Sequence, residues 1–124
     1  MTRYLSVQEV IVINTEAVRR FGGTHGIRDA EALEAAVGRP QTGYYKDIVE
    51  EAAALFESLS QNHPFIDGNK RTAITATGVF LLLNGYKLSC DDLETYTWLM
   101  QLYETGKVSK TAMEDWLRRH CRHM

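Results

Sequence analysis

Apolar residues recur at helical spacing along most of the chain, in segments that capping residues, glycines and prolines separate. The first segment begins at a capping box, Ser6-Val7-Gln8-Glu9, and ends before Gly22-Gly23. Similar start and stop residues divide the rest of the sequence. The predicted helices span about residues 6–21, 30–37, 46–62, 69–83, 91–105 and 109–120. The pattern therefore predicts an all-α fold of about six helices, with residues 1–124 in one domain.

The fourth predicted helix differs from the others because its first half is rich in threonine, alanine and glycine. Small residues let neighbouring helices approach closely. We therefore expect this helix to be the central, buried one. The segment from Arg39 to Tyr45 is the least regular part of the first half of the chain. Its proline and glycine argue against a helix there, and its two tyrosines favour extended structure.

Composition and charge restrict the classes of function. The chain has 124 residues and a formal net charge of −2, so we expect no broad electrostatic attraction to nucleic acid or to a membrane surface. The longest apolar run, residues 79–83, is too short to cross a bilayer, and the N-terminal residues lack a signal-peptide pattern. Two cysteines form no disulfide framework. These features predict a cytoplasmic protein without a membrane segment.

The candidate chemistry lies in the loop between the third and fourth predicted helices, His63-Pro64-Phe65-Ile66-Asp67-Gly68-Asn69-Lys70-Arg71. Pro64 disfavours the helical conformation at the residue before it, so the third helix should end near His63. The fourth helix begins near Gly68 or Asn69, and its free N–H groups and dipole favour an anion.

Two cations, Lys70 and Arg71, lie in the first turn of the fourth predicted helix. Cations are unfavourable for the helix at that end, so their presence indicates a bound anion, most simply phosphate. Asp67 beside a phosphate suits Mg²⁺, which favours one or two carboxylates together with phosphate oxygens. Histidine is the residue type best suited to act as a general base near neutral pH, so His63 is the candidate base. Taken one by one, these residues have structural explanations too: a helix-end histidine, a turn and a solvated face.

The same nine residues resemble the signature of the Fic/Doc superfamily, and specifically of its death-on-curing (Doc) toxin branch. The Doc form, His-x-Phe-x-Asp/Asn-Ala/Gly-Asn-Lys-Arg, is matched at every position. The Fic form ends Gly-Asn-Gly-Arg-x-x-Arg, and this chain has Lys70 at the second glycine and Ile74 at the final arginine. Both differences favour the Doc branch. The resemblance extends from Gly22-Gly23 through Gly38-Arg39 to Asn84-Gly85.

The resemblance implies a Doc-like protein kinase that transfers the γ-phosphate of ATP to a hydroxyl group of a translation factor. Elongation factor Tu is the expected substrate, and the result would be arrest of translation. His63 would take the proton from the target hydroxyl, and Asp67 would hold Mg²⁺ or orient the phosphates. The other motif residues would bind and neutralise the phosphates: Gly68, Asn69, Lys70 and Arg71.

The resemblance also implies a flap, often a small hairpin, that lies over the active site and docks the protein substrate by main-chain pairing. The residues of this candidate flap are Arg39, Gln41, Thr42, Gly43 and Tyr44. A plain surface loop is the alternative for this segment. Two alternatives also stand for the whole protein: a Fic-like enzyme that transfers AMP to a protein hydroxyl, and an inactive Fic-fold binding module.

An antitoxin is implied as the partner. Self-inhibited Fic proteins contain a glutamate followed by glycine or asparagine, and no glutamate in this chain is followed by either residue. The resemblance therefore implies a separate, Phd-like antitoxin, whose disordered tail folds into a groove on the toxin. Any DNA binding would come through that antitoxin.

Overall fold

Six α-helices make up most of the chain in the computed structural model, which describes all of residues 1–124. They are α1 (Val7–Phe21), α2 (Ala30–Gly38), α3 (Ile48–Gln61), α4 (Asn69–Leu83), α5 (Asp92–Glu104) and α6 (Lys110–His120). A 3₁₀-helix, Arg39–Thr42, follows α2 directly. The prediction of an all-α fold of six helices is confirmed. No helix combines the length and the apolar composition needed to cross a bilayer.

Side-chain caps start five of these helices. In each case the side-chain oxygen accepts a hydrogen bond from a backbone N–H of the first turn, as expected for such caps. The capping residues are Ser6, Asp29, Asp47, Asp91 and Ser109. Helix α4 is the exception, because it begins at Gly68 with no side-chain cap. The N–H groups of its first turn are therefore left without a capping partner.

Helix α3, and not α4, is the most buried helix. Its ten buried residues include the run Ala52-Ala53-Ala54, whose small side chains let neighbours pack closely on more than one side. It packs against α2, α4, α6 and the 3₁₀-helix. Helix α4 buries six residues on one face, and its Leu82 is 54% exposed. Helix α3 therefore holds the central place that was expected for α4. The small residues of α4 do pack closely, since Thr72, Ala73, Ala76 and Thr77 are buried, but the opposite face of the helix is open.

The segment from Arg39 to Tyr45 is not extended. Arg39 continues the helical backbone of α2, and Pro40 lies in the first turn of the 3₁₀-helix, where its missing N–H costs nothing. Gly43, with a φ of 79°, ends the turn in a left-handed conformation. The expected hairpin does not form here. The local pattern of proline and glycine excluded a long helix but not a single 3₁₀ turn.

The antiparallel pair in the structure joins two distant segments, β1 (Tyr86–Leu88) and β2 (Cys121–His123). Tyr86 pairs with His123, and Leu88 pairs with Cys121. The sequence pattern indicated neither β2 nor its pairing with β1. Three residues are too few to show a strand pattern, and the partner lies more than thirty residues away in the sequence.

Candidate active site

The loop between α3 and α4 is closed by the side chain of Asn69. Its Oδ1 accepts a hydrogen bond from the backbone N–H of Phe65 at 3.0 Å, and its Nδ2 donates to the Phe65 carbonyl at 2.9 Å. Phe65 itself is buried and anchors the loop in the core. The next residue, Ile66, is 48% exposed. Asn69 therefore shapes the loop, and the predicted contact with phosphate would use its remaining N–H.

His63 lies on the solvent side of this loop, just after the end of α3. The helix ends at Gln61, with Asn62 as its C-cap, in agreement with the stop predicted from Pro64. The side chain of His63 is exposed, so the imidazole is not enclosed by packed side chains. His63 is also the one non-glycine residue with a positive φ, 47°. An incoming hydroxyl group can therefore reach this imidazole.

The carboxylate of Asp67 faces the loop between α1 and α2. Its Oδ2 accepts a hydrogen bond from the Thr24 N–H at 2.7 Å, and Oδ1 has no partner in the chain. A Cβ at Gly23 would lie 2.9 Å from the Cβ of Asp67, so the two segments are in close contact. No group of three His, Cys, Asp or Glu residues could hold a metal ion. One free carboxylate oxygen fits Mg²⁺ only together with other oxygens, such as those of a nucleotide.

The side chain of Asn14 in α1 holds the backbone of Asp67 in place. This side chain is 3% exposed, and its Nδ2 donates to the Asp67 carbonyl at 2.8 Å and lies 3.1 Å from Thr72 Oγ1 of α4. A buried amide with both contacts fixes the loop relative to two helices. A Cβ at Gly68, whose φ is 78°, would lie 3.2 Å from Asn14 Nδ2. The site thus requires glycine at position 68 both for its backbone conformation and for space.

Lys70 and Arg71 lie in the uncapped first turn of α4 and contact aromatic rings. The Lys70 Nζ is 4.7 Å from the centre of the Tyr103 ring. The guanidinium carbon of Arg71 is 3.7 Å from the centre of the Phe21 ring and 4.8 Å from that of Tyr96. Stacking uses the faces of a guanidinium and leaves its N–H groups, which lie in the plane, free for an anion.

Neither cation is neutralised within the protein, since all eight ion pairs of the structure involve other residues. Burial raises the pKa of Tyr103, so the ring beneath Lys70 keeps its phenolic proton at neutral pH. The first turn of α4 therefore combines free N–H groups, the positive end of a helix dipole and two unpaired cations. Such a combination is favourable for an anion such as phosphate.

Comparison with known proteins identifies the family of this site. A sequence profile described as the Fic/DOC family matches residues 4–81, which is more than half of the chain and includes the whole loop. The chain belongs to the Fic/DOC family. The predicted membership is thereby confirmed.

Two relatives place this Fic/DOC chain in the Doc branch. It is 45% identical over 96 residues to "Toxin Doc" of Mycolicibacterium smegmatis, with 73% of this chain and 72% of that protein covered. It is 32% identical over 121 residues to "Protein kinase doc" of Escherichia phage P1, with 94% of each chain covered. The predicted resemblance to the Doc branch is therefore also confirmed.

The candidate flap of this Fic/DOC protein divides into an anchor and a tip. Arg39 is bound to its neighbours: its Nε donates to the Tyr45 hydroxyl at 2.7 Å, and its Nη1 lies 2.9 Å from Glu57 Oε1 and 2.9 Å from Ser58 Oγ. The Gln41 and Thr42 side chains also bond back, to the carbonyls of Val37 and Arg39. Gly43 and Tyr44 remain, and Tyr44 is 82% exposed. This tip is therefore the part of the candidate flap whose side chains form no hydrogen bond within the chain.

An open groove adjoins the site on the uncovered face of α4. It has a volume of about 910 Å³ and lies between α1, α4, α5 and β1. More than half of its lining residues are hydrophobic, among them Val12, Ile74 and Leu82. Arg71 belongs to this lining as well as to the Fic/DOC motif. The groove and the candidate phosphate site therefore share one side chain.

Sequence reasoning missed the residues that hold the loop from outside, namely Asn14, Thr24 and Arg28. Asn14 gave a signal that could have been used, because it lies four residues after Val10 on the apolar face of α1. A polar residue in such a position needs a buried partner. Thr24 acts through its backbone N–H, and Arg28 reaches the loop only through the fold. Nothing in the local pattern indicated either contact.

Proposed function

We propose that this protein is a Doc-like toxin that transfers the γ-phosphate of ATP to a hydroxyl group of a translation factor. One observation carries the proposal: a closed loop joins an exposed histidine to an uncapped helix N-terminus that bears two cations without acidic partners. Phosphoryl transfer depends mainly on positioning and on electrostatic stabilisation of this kind. The name of the phage relative, a protein kinase, supports the same reaction class.

We assign a role to each of these side chains on the basis of its position. The oxygen of the target hydroxyl attacks the γ-phosphorus, its proton goes to His63, and the bond between the γ-phosphorus and the bridging oxygen breaks to release ADP. The N–H groups of the first turn of α4 bind phosphate oxygens. Lys70 and Arg71 offset the negative charge of the transferred group. Asp67 would hold Mg²⁺, which would add positive charge at the phosphates.

Elongation factor Tu is the substrate that the resemblance to Doc proteins favours. Its hydroxyl group would enter beside His63, and the exposed tip at Gly43 and Tyr44 would contact the protein around it. The rest of the candidate flap is bonded to α2 and α3, so we assign it the role of support for that tip. A target in the translation apparatus requires the cytoplasm as the place of action.

The direct test is incubation of the purified protein with elongation factor Tu and ATP labelled in either the γ- or the α-phosphate. We expect label on elongation factor Tu from the γ-phosphate only. Label from the α-phosphate would instead show AMP transfer. Absence of label from both, with elongation factor Tu and other translation factors alike, would contradict the enzymatic proposal and favour a binding module.

We further propose that the groove binds the tail of a Phd-like antitoxin as an amphipathic helix. The groove is mainly apolar, and its exposed side chains include Val12 at 66% and Leu82 at 54%. A segment that folds on binding can cover such a surface with apolar residues at helical spacing. An occupant of the groove would also contact Arg71, which links it to the active site.

Leu82→Asp should abolish protection by the antitoxin and leave toxicity unchanged, because a carboxylate would then be desolvated in the apolar groove. The measurement is growth of cells that co-express toxin and antitoxin, together with the binding constant of the purified pair. Leu93→Asp is the matched control, since Leu93 is 74% exposed and lies outside the groove. Equal protection of both variants would contradict the assignment of the groove.

A further inference from the structure

The backbone of His63 adopts a conformation that neither its residue type nor the next residue, Pro64, stabilises. Its φ of 47° lies in the left-handed region, at the position after a helix C-cap where glycine is usual. Helices that end in this way usually gain hydrogen bonds from the N–H groups of this residue and the next. The next residue is Pro64, which has no N–H, and the N–H of His63 forms no backbone hydrogen bond to α3.

Arg28, from the loop before α2, supplies the missing interactions. Its Nε donates to the carbonyl of His63 at 2.6 Å, and its Nη2 donates to the carbonyl of Asn62 at 2.8 Å. Its backbone N–H donates to the carbonyl of Pro64 at 2.8 Å, and the N–H of Asp29 donates to the same oxygen at 3.0 Å. Three successive carbonyls around His63 are thus bound by one arginine and its neighbour.

The segment that presents Arg28 is itself well fixed. The N–H of Ile66 donates to the carbonyl of Gly26 at 3.0 Å, and Ile27 forms an antiparallel bridge with Phe65. Asp29 caps α2 on the other side of Arg28. A planar guanidinium with two donors in fixed geometry can hold two adjacent carbonyls, whereas an ammonium group acts as a point charge.

We propose that Arg28 is a positioning residue that holds the backbone of His63 in its left-handed conformation and so places the imidazole for proton transfer. This inference rests on the proposed function of His63 as the base. Arg28 does not touch the reacting atoms, since its hydrogen bonds go to backbone oxygens. A displacement of a catalytic group by about 1 Å can lower the rate by about 100-fold.

The test compares Arg28→Met and Arg28→Lys with the wild-type protein. We expect kcat for transfer to fall by about 100-fold in Arg28→Met, because the base is misplaced, while the KM for ATP stays unchanged. Arg28→Lys should restore little of this loss, since lysine cannot hold both carbonyls. Arg19→Met is the matched control: Arg19 pairs with Glu16 on the exposed face of α1, and its loss should change neither constant.

A second readout is independent of activity. In Arg28→Met, the NMR signals of His63 should shift towards random-coil values, both for Cα and Cβ and for the ring Cε1–Hε1 pair. The amide signals of the interior residues of α3 and α4 should not change. In the His63→Ala background, Arg28→Met should cause no further loss of the residual transfer activity. Unchanged His63 signals, or wild-type kcat in either Arg28 variant, would overturn the inference.

These outcomes separate the two proposals. If His63→Ala keeps full transfer activity, the proposed function of His63 fails. If His63→Ala is inactive and Arg28→Met is as active as the wild type, only the positioning role fails. A further loss on adding Arg28→Met to His63→Ala would show that Arg28 acts on something other than His63.

Discussion

The variant His63→Ala should lose phosphate transfer and no longer arrest growth. Removal of a general base lowers the rate by about 100- to 10,000-fold, and we expect a loss within that range. The side chain is exposed, so its truncation leaves no cavity in the core and should not change the thermal unfolding midpoint. The measurements are γ-label transfer to elongation factor Tu and growth after induction.

His123→Ala is the control for this experiment. His123 is an exposed histidine on β2, outside the motif, and its ring packs against Tyr86. We expect this variant to keep both transfer and toxicity. If His63→Ala and His123→Ala arrested growth equally, His63 would not be the base. If neither variant nor the wild type transferred label while all three bound the antitoxin, the binding-module alternative would gain.

The helices could be predicted from the sequence because their signals are local. Ser6 with Glu9, Asp29 and Ser109 each cap a helix within a few residues of themselves. The turn at Gly68 is equally local, since its left-handed backbone favours glycine. Such signals fix where an element begins and ends. They do not state which of its faces another element covers.

The packing of the elements could not be predicted in the same way. The small residues of α4 predicted close packing, and most of them are buried, but the sequence did not show that the opposite face of the helix stays open. The alanine run of α3 was the better indication of a central helix, because three successive small residues allow contact on several sides. Arg39, at the start of the 3₁₀ turn, bonds through its side chain to Glu57 and Ser58, which lie far along the chain.

The candidate site likewise combines residues that the sequence indicated with residues that only the structure shows. The candidate roles of His63, Asp67 and Lys70 could be predicted from residue type and order, because those roles would use their own side chains. The supports of the loop were not evident, because Asn14 and Arg28 act on backbone atoms that only the fold brings near. A motif thus names the candidate reacting groups, while the contacts that place those groups require the structure.

Arg71→Met should lower kcat/KM for transfer by about 100- to 1,000-fold, the usual effect of removing one group that stabilises transition-state charge. The guanidinium is held between Phe21 and Tyr96, so its N–H edge has a fixed direction. Arg71→Lys should recover little of this loss, because an ammonium group neither stacks in the same way nor binds phosphate in a fork. The measurement is γ-label transfer together with ATP affinity.

Arg20→Met provides the matched control for Arg71. Arg20 lies over the same Phe21 ring, at 5.9 Å, but outside the motif, so its loss should leave transfer unchanged. Tyr96→Leu separates the two roles of Arg71, because it removes one stacking partner and keeps the guanidinium. If Arg71 binds phosphate, Tyr96→Leu should weaken transfer much less than Arg71→Met. If Arg71 only packs in the groove, Arg71→Met should retain wild-type transfer, and the assignment of Arg71 to the phosphates would be wrong.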